Sequence, residues 1–146
     1  MVLIGSDHAG YEAKENLKKY FETTNVTFKD LGTYSKDSCD YPLIAKKVAL
    51  EISENKAEKA VLICGSGVGM GIAANKIRGV RAVICSDETT ARLSRKHNDA
   101  NIICLGARII DFEKIKKIVD IFLSTSFEGG RHQRRIDQIS EIENLY

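Results

Sequence analysis

Five short runs rich in valine and isoleucine, "VLIGSD", "VTFKDLG", "AVLICGS", "VRAVICSD" and "NIICLG", recur along the chain, separated by longer segments of helical period. A strand that must wait for a helix before its neighbour can form is joined by a crossover, and crossovers make strands parallel. Several of the runs are apolar at consecutive positions, which suits strands covered by helices on both faces. The expectation is an α/β fold, a doubly wound five-stranded parallel sheet, in one domain spanning residues 1–146. A chain of this length buries roughly 70% of the surface its unfolded form exposes, so it needs no disulfide to hold together.

The remaining segment is a tail, "FEGGRHQRRIDQISEIENLY", with Ile136, Ile139, Ile142 and Leu145 at three-residue spacing. A terminal helix with so narrow an apolar stripe packs on its own domain or lies across a partner subunit. With 22 basic and 20 acidic residues and a net charge of +2, no long-range field favours nucleic acid or an anionic membrane. The start, "MVLIGSDHAGYEAK", lacks the basic and long apolar parts of a signal peptide, and no apolar run has the ~20 residues of a membrane span. A cytoplasmic location is the expectation. Cys39, Cys64, Cys85 and Cys104 form no CxxC pair, so reduced thiols are expected, with Cys85 and Cys104 as small core residues.

In doubly wound sheets, ligands bind beyond the carboxyl ends of the strands. Those ends carry Asp7 and His8, then Gly32 with Asp40 and Tyr41 further on, then Cys64 with Gly65, Gly67, Gly69 and Gly71, then Ser86 and Asp87, and finally Gly106 with Arg108. The glycine loop admits several readings. A dinucleotide fingerprint would need a glycine where Met70 stands, and the loop follows the third strand, not the first. A phosphatase-type Cys-x5-Arg loop would need arginine at that same position, although a phosphocysteine carrier without arginine stays open. Tight turning around an inert Cys64 is a third reading. In a fourth, backbone N–H groups ahead of a helix favour the thiolate and can stabilise an oxyanion beside it. Thiolate and oxyanion hole together serve either acyl transfer or proton abstraction next to a carbonyl.

"GGRHQRR" places Arg131, His132, Arg134 and Arg135 within five positions, and Arg131 and Arg135 share a face if a helix begins there. Two guanidiniums at a helix start make a phosphate clamp, and a solvated or dimer-contact face is the alternative. No aromatic residues interleave the arginines, which speaks against nucleic acid. His97, Arg131 and Arg135 should lie at the amino ends of the strands, away from the Cys64 loop. If they act together, the simplest arrangement is a site shared across a homodimer.

In this order, "GSDHAG", "DYP", "CGSGVGMGIAANK", "HNDAN", "GAR" and "EGGRHQRR" span nearly the whole chain. Six separated motifs thus resemble those of the type B ribose-5-phosphate isomerases, whose wider family includes galactose-6-phosphate isomerase subunits and allose-6-phosphate isomerases. The resemblance implies a Rossmann-like fold of three layers, α/β/α, and a homodimer, or a tetramer, with active sites at the interface. It implies a small sugar phosphate as substrate, no metal, no nucleotide or other cofactor, and interconversion of ribose 5-phosphate and ribulose 5-phosphate through a cis-enediolate, a step of the pentose phosphate pathway.

By the same resemblance Cys64 is the base that moves the proton between carbons 2 and 1, and His97 is the acid that opens the furanose, with Asn98 beside it on the sugar. Asp7 and His8 would contact the ring oxygen, hydroxyls or phosphate end, while Gly65, Ser66, Gly67, Val68 and Gly69 would form the anion hole. Arg108, Arg131 and Arg135 would hold the phosphate, with His132 an extra contact. Ser66 stands where many members have threonine, and Met70 where a branched residue is common. A six-carbon sugar phosphate, or a non-catalytic sugar-phosphate-binding subunit, is the alternative.

Overall fold

The computed structural model describes residues 1–146. The elements are β1 (Val2–Ser6), α1 (Tyr11–Thr23), β2 (Phe28–Asp30), α2 (Tyr41–Ser53), β3 (Lys59–Cys64), α3 (Val68–Ala74), β4 (Ala82–Ile84), α4 (Glu88–Asn98), β5 (Ile102–Gly106), α5 (Phe112–Ser124) and α6 (Arg131–Leu145). All five strands pair in parallel in the order β2-β1-β3-β5-β4. It is the expected Rossmann-like α/β sheet, with helices on both faces.

The strand order decides which helix covers which face. The steps from β1 to β2 and from β4 to β5 run one way along the sheet, and those from β2 to β3 and from β3 to β4 run the other way. Right-handed crossovers therefore put α1 and α4 on one face and α2 and α3 on the other. On the first face Leu17, Phe21 and Ala91 join Ile115, Ile118 and Phe122 of α5 against Val61, Ile63, Ile103 and Leu105. On the second, Ala45, Val48, Ala49, Met70 and Ala74 cover Leu3, Leu62, Ile102 and Cys104. Successive residues of β3 and β5 thus enter opposite cores, which is why these strands read as unbroken apolar runs. Each such side chain contributes about 1.5–3 kcal/mol on burial.

The edge strands β2 and β4 keep only three residues each, fewer than the apolar runs suggest. An edge strand has a ladder on one side only, and β2 leaves the sheet where the Ser6 N–H donates to the Gly32 carbonyl and the Thr33 N–H to the Ser6 carbonyl, each at 2.7 Å. Lys14 holds that exit. It lies on the same stripe of α1 as Leu17 and Phe21 and is wholly buried, and its Nζ donates to both Asp30 carboxylate oxygens at 2.7 Å and to the Thr33 carbonyl at 2.6 Å. Lys18 reaches the same carboxylate at 3.0 Å. Burial pushes the Asp30 carboxyl up, but Lys14, the Gly32 N–H and Lys18 outweigh it and hold the group below the usual carboxylate range.

At the other end of the chain, α6 touches its own domain mainly through its first turns, against α4. His132 and Ile136 are buried, whereas Ile142 and Leu145 are 60% and 74% exposed. The terminal stripe is therefore only partly used within the chain. No helix is long and apolar enough to cross a membrane.

Candidate active site

Three strand ends meet around Cys64. Asp7 follows β1 and is almost fully buried, and its Oδ1 accepts the Gly10 N–H at 3.0 Å. Only glycine fits at position 10, because a Cβ there would sit 2.3 Å from the Ile63 carbonyl oxygen. His8 accepts the Cys39 N–H at Nδ1 (3.2 Å), leaving Nε2 to carry the proton of the neutral ring. After β5, the Ala107 and Arg108 N–H groups bond the carbonyls of Cys64 and Gly65 at 2.8 and 3.0 Å, tying the loop that carries Arg108 to the cysteine loop.

Cys64 ends β3 and is 5% exposed, and its Sγ accepts the Gly67 N–H at 3.1 Å. Gly67 makes this bond from a left-handed conformation, φ +81°, that other residues rarely adopt. The Val68 N–H is taken by Ser66 Oγ at 3.2 Å. Part of the loop's donor set is thus already committed, one donor of it to the sulfur. The other sheet-embedded cysteine, Cys104, has no such donor, and burial, with Cys64 second, pushes its thiol well up. Cys85 is raised by burial too. All four cysteines are free, as expected.

Asp7, Tyr41, Cys64, Ser66, Gly69 and Arg108 line an open cleft of about 530 Å³. The side chain of Arg108 lies along Gly65, where an added Cβ would come within 3.4 Å of the guanidinium, and the Tyr41 ring fills the space beside Gly69. A larger, mostly apolar groove of about 960 Å³ lies between α6 and the α3–β4 edge, but it contains no cysteine, histidine or aspartate.

The other predicted residues are elsewhere. β3 and β5 are paired from Ala60 with Ile102 to Cys64 with Gly106, and α4 returns the chain to the Ile102 end. His97 and Asn98, in the last turn of α4, therefore lie beyond the start of β3, with roughly 13 Å of strand between that end and Cys64. Arg131 and Arg135 stand exposed on the first turns of α6 at the same pole. One chain thus gathers Asp7, His8, Cys64 to Gly69 and Arg108 at one pole, and His97, Asn98, Arg131 and Arg135 at the other.

At that second pole the His97 and His132 rings stack, with centroids 4.3 Å apart and planes 15° from parallel. Glu128 Oε2 lies 3.7 Å from His132 Nε2. Burial, then His97 and Arg131, with Arg135 adding, push the His132 imidazole below its ordinary pKa against the pull of Glu128. Ligand atoms of His97, Glu128 and His132 come within 4.8 Å of one another. The lone pairs of stacked rings, however, lie in near-parallel planes that converge poorly on one ion, and the Arg131 and Arg135 guanidiniums oppose a positive charge there, so the trio is ill-suited to a cation. Sequence reasoning gave Glu128 no role and did not foresee the stack. Nor did it single out Lys14, although its phase with Leu17 and Phe21 marks it as buried.

The family model for Ribose/Galactose Isomerase matches residues 2–139. The chain belongs to that family. The isomerase is 43% identical to ribose-5-phosphate isomerase B of Escherichia coli over 97% of its own length and 95% of the relative's. A solved ribose-5-phosphate isomerase B of Clostridium thermocellum superposes with TM-score 0.97 at 41% identity, covering 99% of the isomerase and 98% of that chain. The enzyme of Mycoplasma genitalium, solved with bound ribulose-5-phosphate, superposes with TM-score 0.94 at 42% identity, over 99% and 97%. The isomerase is accordingly an aldose–ketose isomerase, and every motif that carried the resemblance lies within the matched span.

Proposed function

We propose that the whole chain, as one unit, interconverts ribose 5-phosphate and ribulose 5-phosphate in the cytoplasm as a step of the pentose phosphate pathway, with the Cys64 thiolate as base. The observation that carries this reading is the Gly67 N–H donated to Cys64 Sγ at the floor of a cleft that also holds Asp7 and Arg108. A sulfur held by a backbone donor beside a cleft that carries a carboxylate and a guanidinium is a poised base, not a core filler.

In the forward direction His97 protonates the furanose ring oxygen as its bond to carbon 1 breaks, and the carbon-1 hydroxyl gives its proton to water, from which His97 is reprotonated. The open aldehyde is held with Asn98, Asp7 and His8 on the hydroxyls. Cys64 takes the proton from carbon 2, and the electron pair moves to make the cis-enediolate. The backbone N–H groups of the Gly65 to Gly69 loop that are not already given to Cys64 Sγ and Ser66 Oγ, with the Ser66 hydroxyl, receive the developing negative charge. The thiol then returns the proton to carbon 1, and the hydroxyl proton passes between O1 and O2, so the thiolate is regenerated. Arg108, Arg131 and Arg135 bind the phosphate dianion, a charge distant from the reacting carbons that holds the substrate in the site. These proton transfers need no metal or other cofactor.

The separation of Cys64 from His97 within one chain supports a homodimer whose sites are shared, each built from one subunit's cysteine pole and the other's His97 pole. The exposed apolar stripe of α6 is available to such a contact. Assay of the purified protein against ribose 5-phosphate, allose 6-phosphate and galactose 6-phosphate tests the substrate. Ribose 5-phosphate should give the highest kcat/KM. A higher value for either six-carbon sugar would reassign the enzyme, and binding without turnover of any would make it a sugar-phosphate-binding subunit.

A further inference from the structure

The group read above as the ring-opening acid does not stand alone. His97 lies in the last turn of α4, where a side chain has little to hold it in a single orientation, and it is only half-buried. One face of its ring is nevertheless covered by His132, which is itself 7% exposed and anchored in the first turn of α6. Glu128 joins the two elements: its N–H donates to the Lys96 carbonyl at 3.1 Å, next to His97, and its carboxylate approaches His132 Nε2 at 3.7 Å. The turn that permits this runs through Gly129 and Gly130, at φ +68° and +57°.

We infer that His132 is a positioning residue for His97: a fixed aromatic platform, oriented by Glu128, that stacks against one face of the acid and leaves its edge free for the sugar. This rests on the reading of His97 as the ring-opening acid.

Two imidazoles in parallel contact cannot both carry a proton cheaply, since like charges would face each other across the stack. The groups around His132 decide which ring stays neutral. Arg131 and Arg135 on α6 and His97 on α4 oppose a charge on it, and Glu128 alone favours one, with a net preference for the neutral ring. A neutral platform sets no like charge against His97 when that ring acts as the acid, and its π-face accommodates the imidazolium. A basic side chain in the place of His132 would instead repel that charge.

A double-mutant cycle tests the role, because a residue that acts through another loses its effect once the other is gone. His132→Ala should lower kcat/KM for ribose 5-phosphate by about tenfold in the otherwise intact enzyme, as expected of a misoriented catalytic group. In the His97→Asn background the same change should cost less than about twofold. Residual turnover in that background remains measurable because the sugar also opens uncatalysed. His132→Phe, which keeps a flat ring, should recover most of the loss, and His132→Asn, which keeps polarity without the ring, should not.

Inhibition by inorganic phosphate and the rate of Cys64 alkylation should be unchanged in all three His132 variants. An equal loss in both backgrounds, a Phe variant as poor as Ala, or weakened phosphate inhibition would overturn the proposal in favour of a direct phosphate contact or a merely structural role. If His97→Asn alone kept wild-type turnover, the assignment of His97 as acid would fail, and the positioning role of His132 with it.

Discussion

Cys64 Sγ and the Gly67 N–H are joined by a 3.1 Å hydrogen bond that closes the loop between β3 and α3. It exists because Gly67 adopts φ +81°, and because nothing projects from its α-carbon, where a Cβ would come within 3.0 Å of the Cys104 carbonyl oxygen. Gly67→Ala should destabilise the protein by about 1–3 kcal/mol through left-handed strain and this backbone contact. It should also slow both isomerisation and alkylation of Cys64. Urea denaturation and iodoacetamide kinetics measure the two effects, and an alanine variant with unchanged alkylation would show that the bond does not tune the sulfur.

Removing the base itself should act on turnover. Cys64→Ala should lower kcat for ribose 5-phosphate at least ~100-fold, the lower end of what a positioned acid or base contributes, with KM changed much less. Circular dichroism should stay native, since the side chain removed is small. A folded variant with wild-type kcat would exclude Cys64 as the base.

The arginines should show the opposite split. Arg131→Ala or Arg135→Ala removes a charge-assisted contact to a group that is bound alike in ground and transition states, so KM should rise about tenfold or more with kcat nearly kept. Steady-state kinetics decides it. A fall in kcat at constant KM would mean that the phosphate end aligns the reacting carbons instead of merely holding the substrate.

Shared sites have a direct readout in mixed dimers. Cys64→Ala and His97→Asn subunits, each deficient as homodimers, should regain activity when unfolded and refolded together, because half of the dimers then carry one intact site. The expected recovery is about a quarter of wild-type sites. No recovery would place Cys64 and His97 of one active site on one chain, against the distance between the poles.

The buried Lys14–Asp30 pair makes a pH-dependent contribution. The Asp30 carboxyl is held low in the folded protein, so its stabilising effect is complete above the ordinary carboxylate pKa of about 4 and disappears as pH falls through the folded value. Asp30→Asn should therefore cost stability at neutral pH, with the difference from wild type shrinking in acid. Lys14→Met, which leaves the carboxylate with only the Gly32 N–H and Lys18, should cost about 3 kcal/mol at neutral pH. Denaturation midpoints across pH check both, and a pH-independent gap for Asp30→Asn would show that the pair is not what holds the β2 exit.

Much of this protein was legible in residue order alone. The alternation of Val- and Ile-rich runs with helical segments dictated a parallel sheet, because crossovers leave no other geometry, and the five strands fall within those runs, β2 and β4 keeping only three residues of theirs. The glycines, Cys64 and the arginine cluster named themselves through spacing, since their chemistry depends on local backbone. What the tertiary structure decided was which residues meet. The insertion of β5 between β3 and β4 follows from how the sheet closes its core, and no local pattern encodes it. The same holds for Lys14 with Asp30 and for His97 with His132, pairs 16 and 35 positions apart in the chain that become neighbours only when packing brings two elements together. Local sequence sets what each element can be, whereas long-range burial sets who its neighbours are.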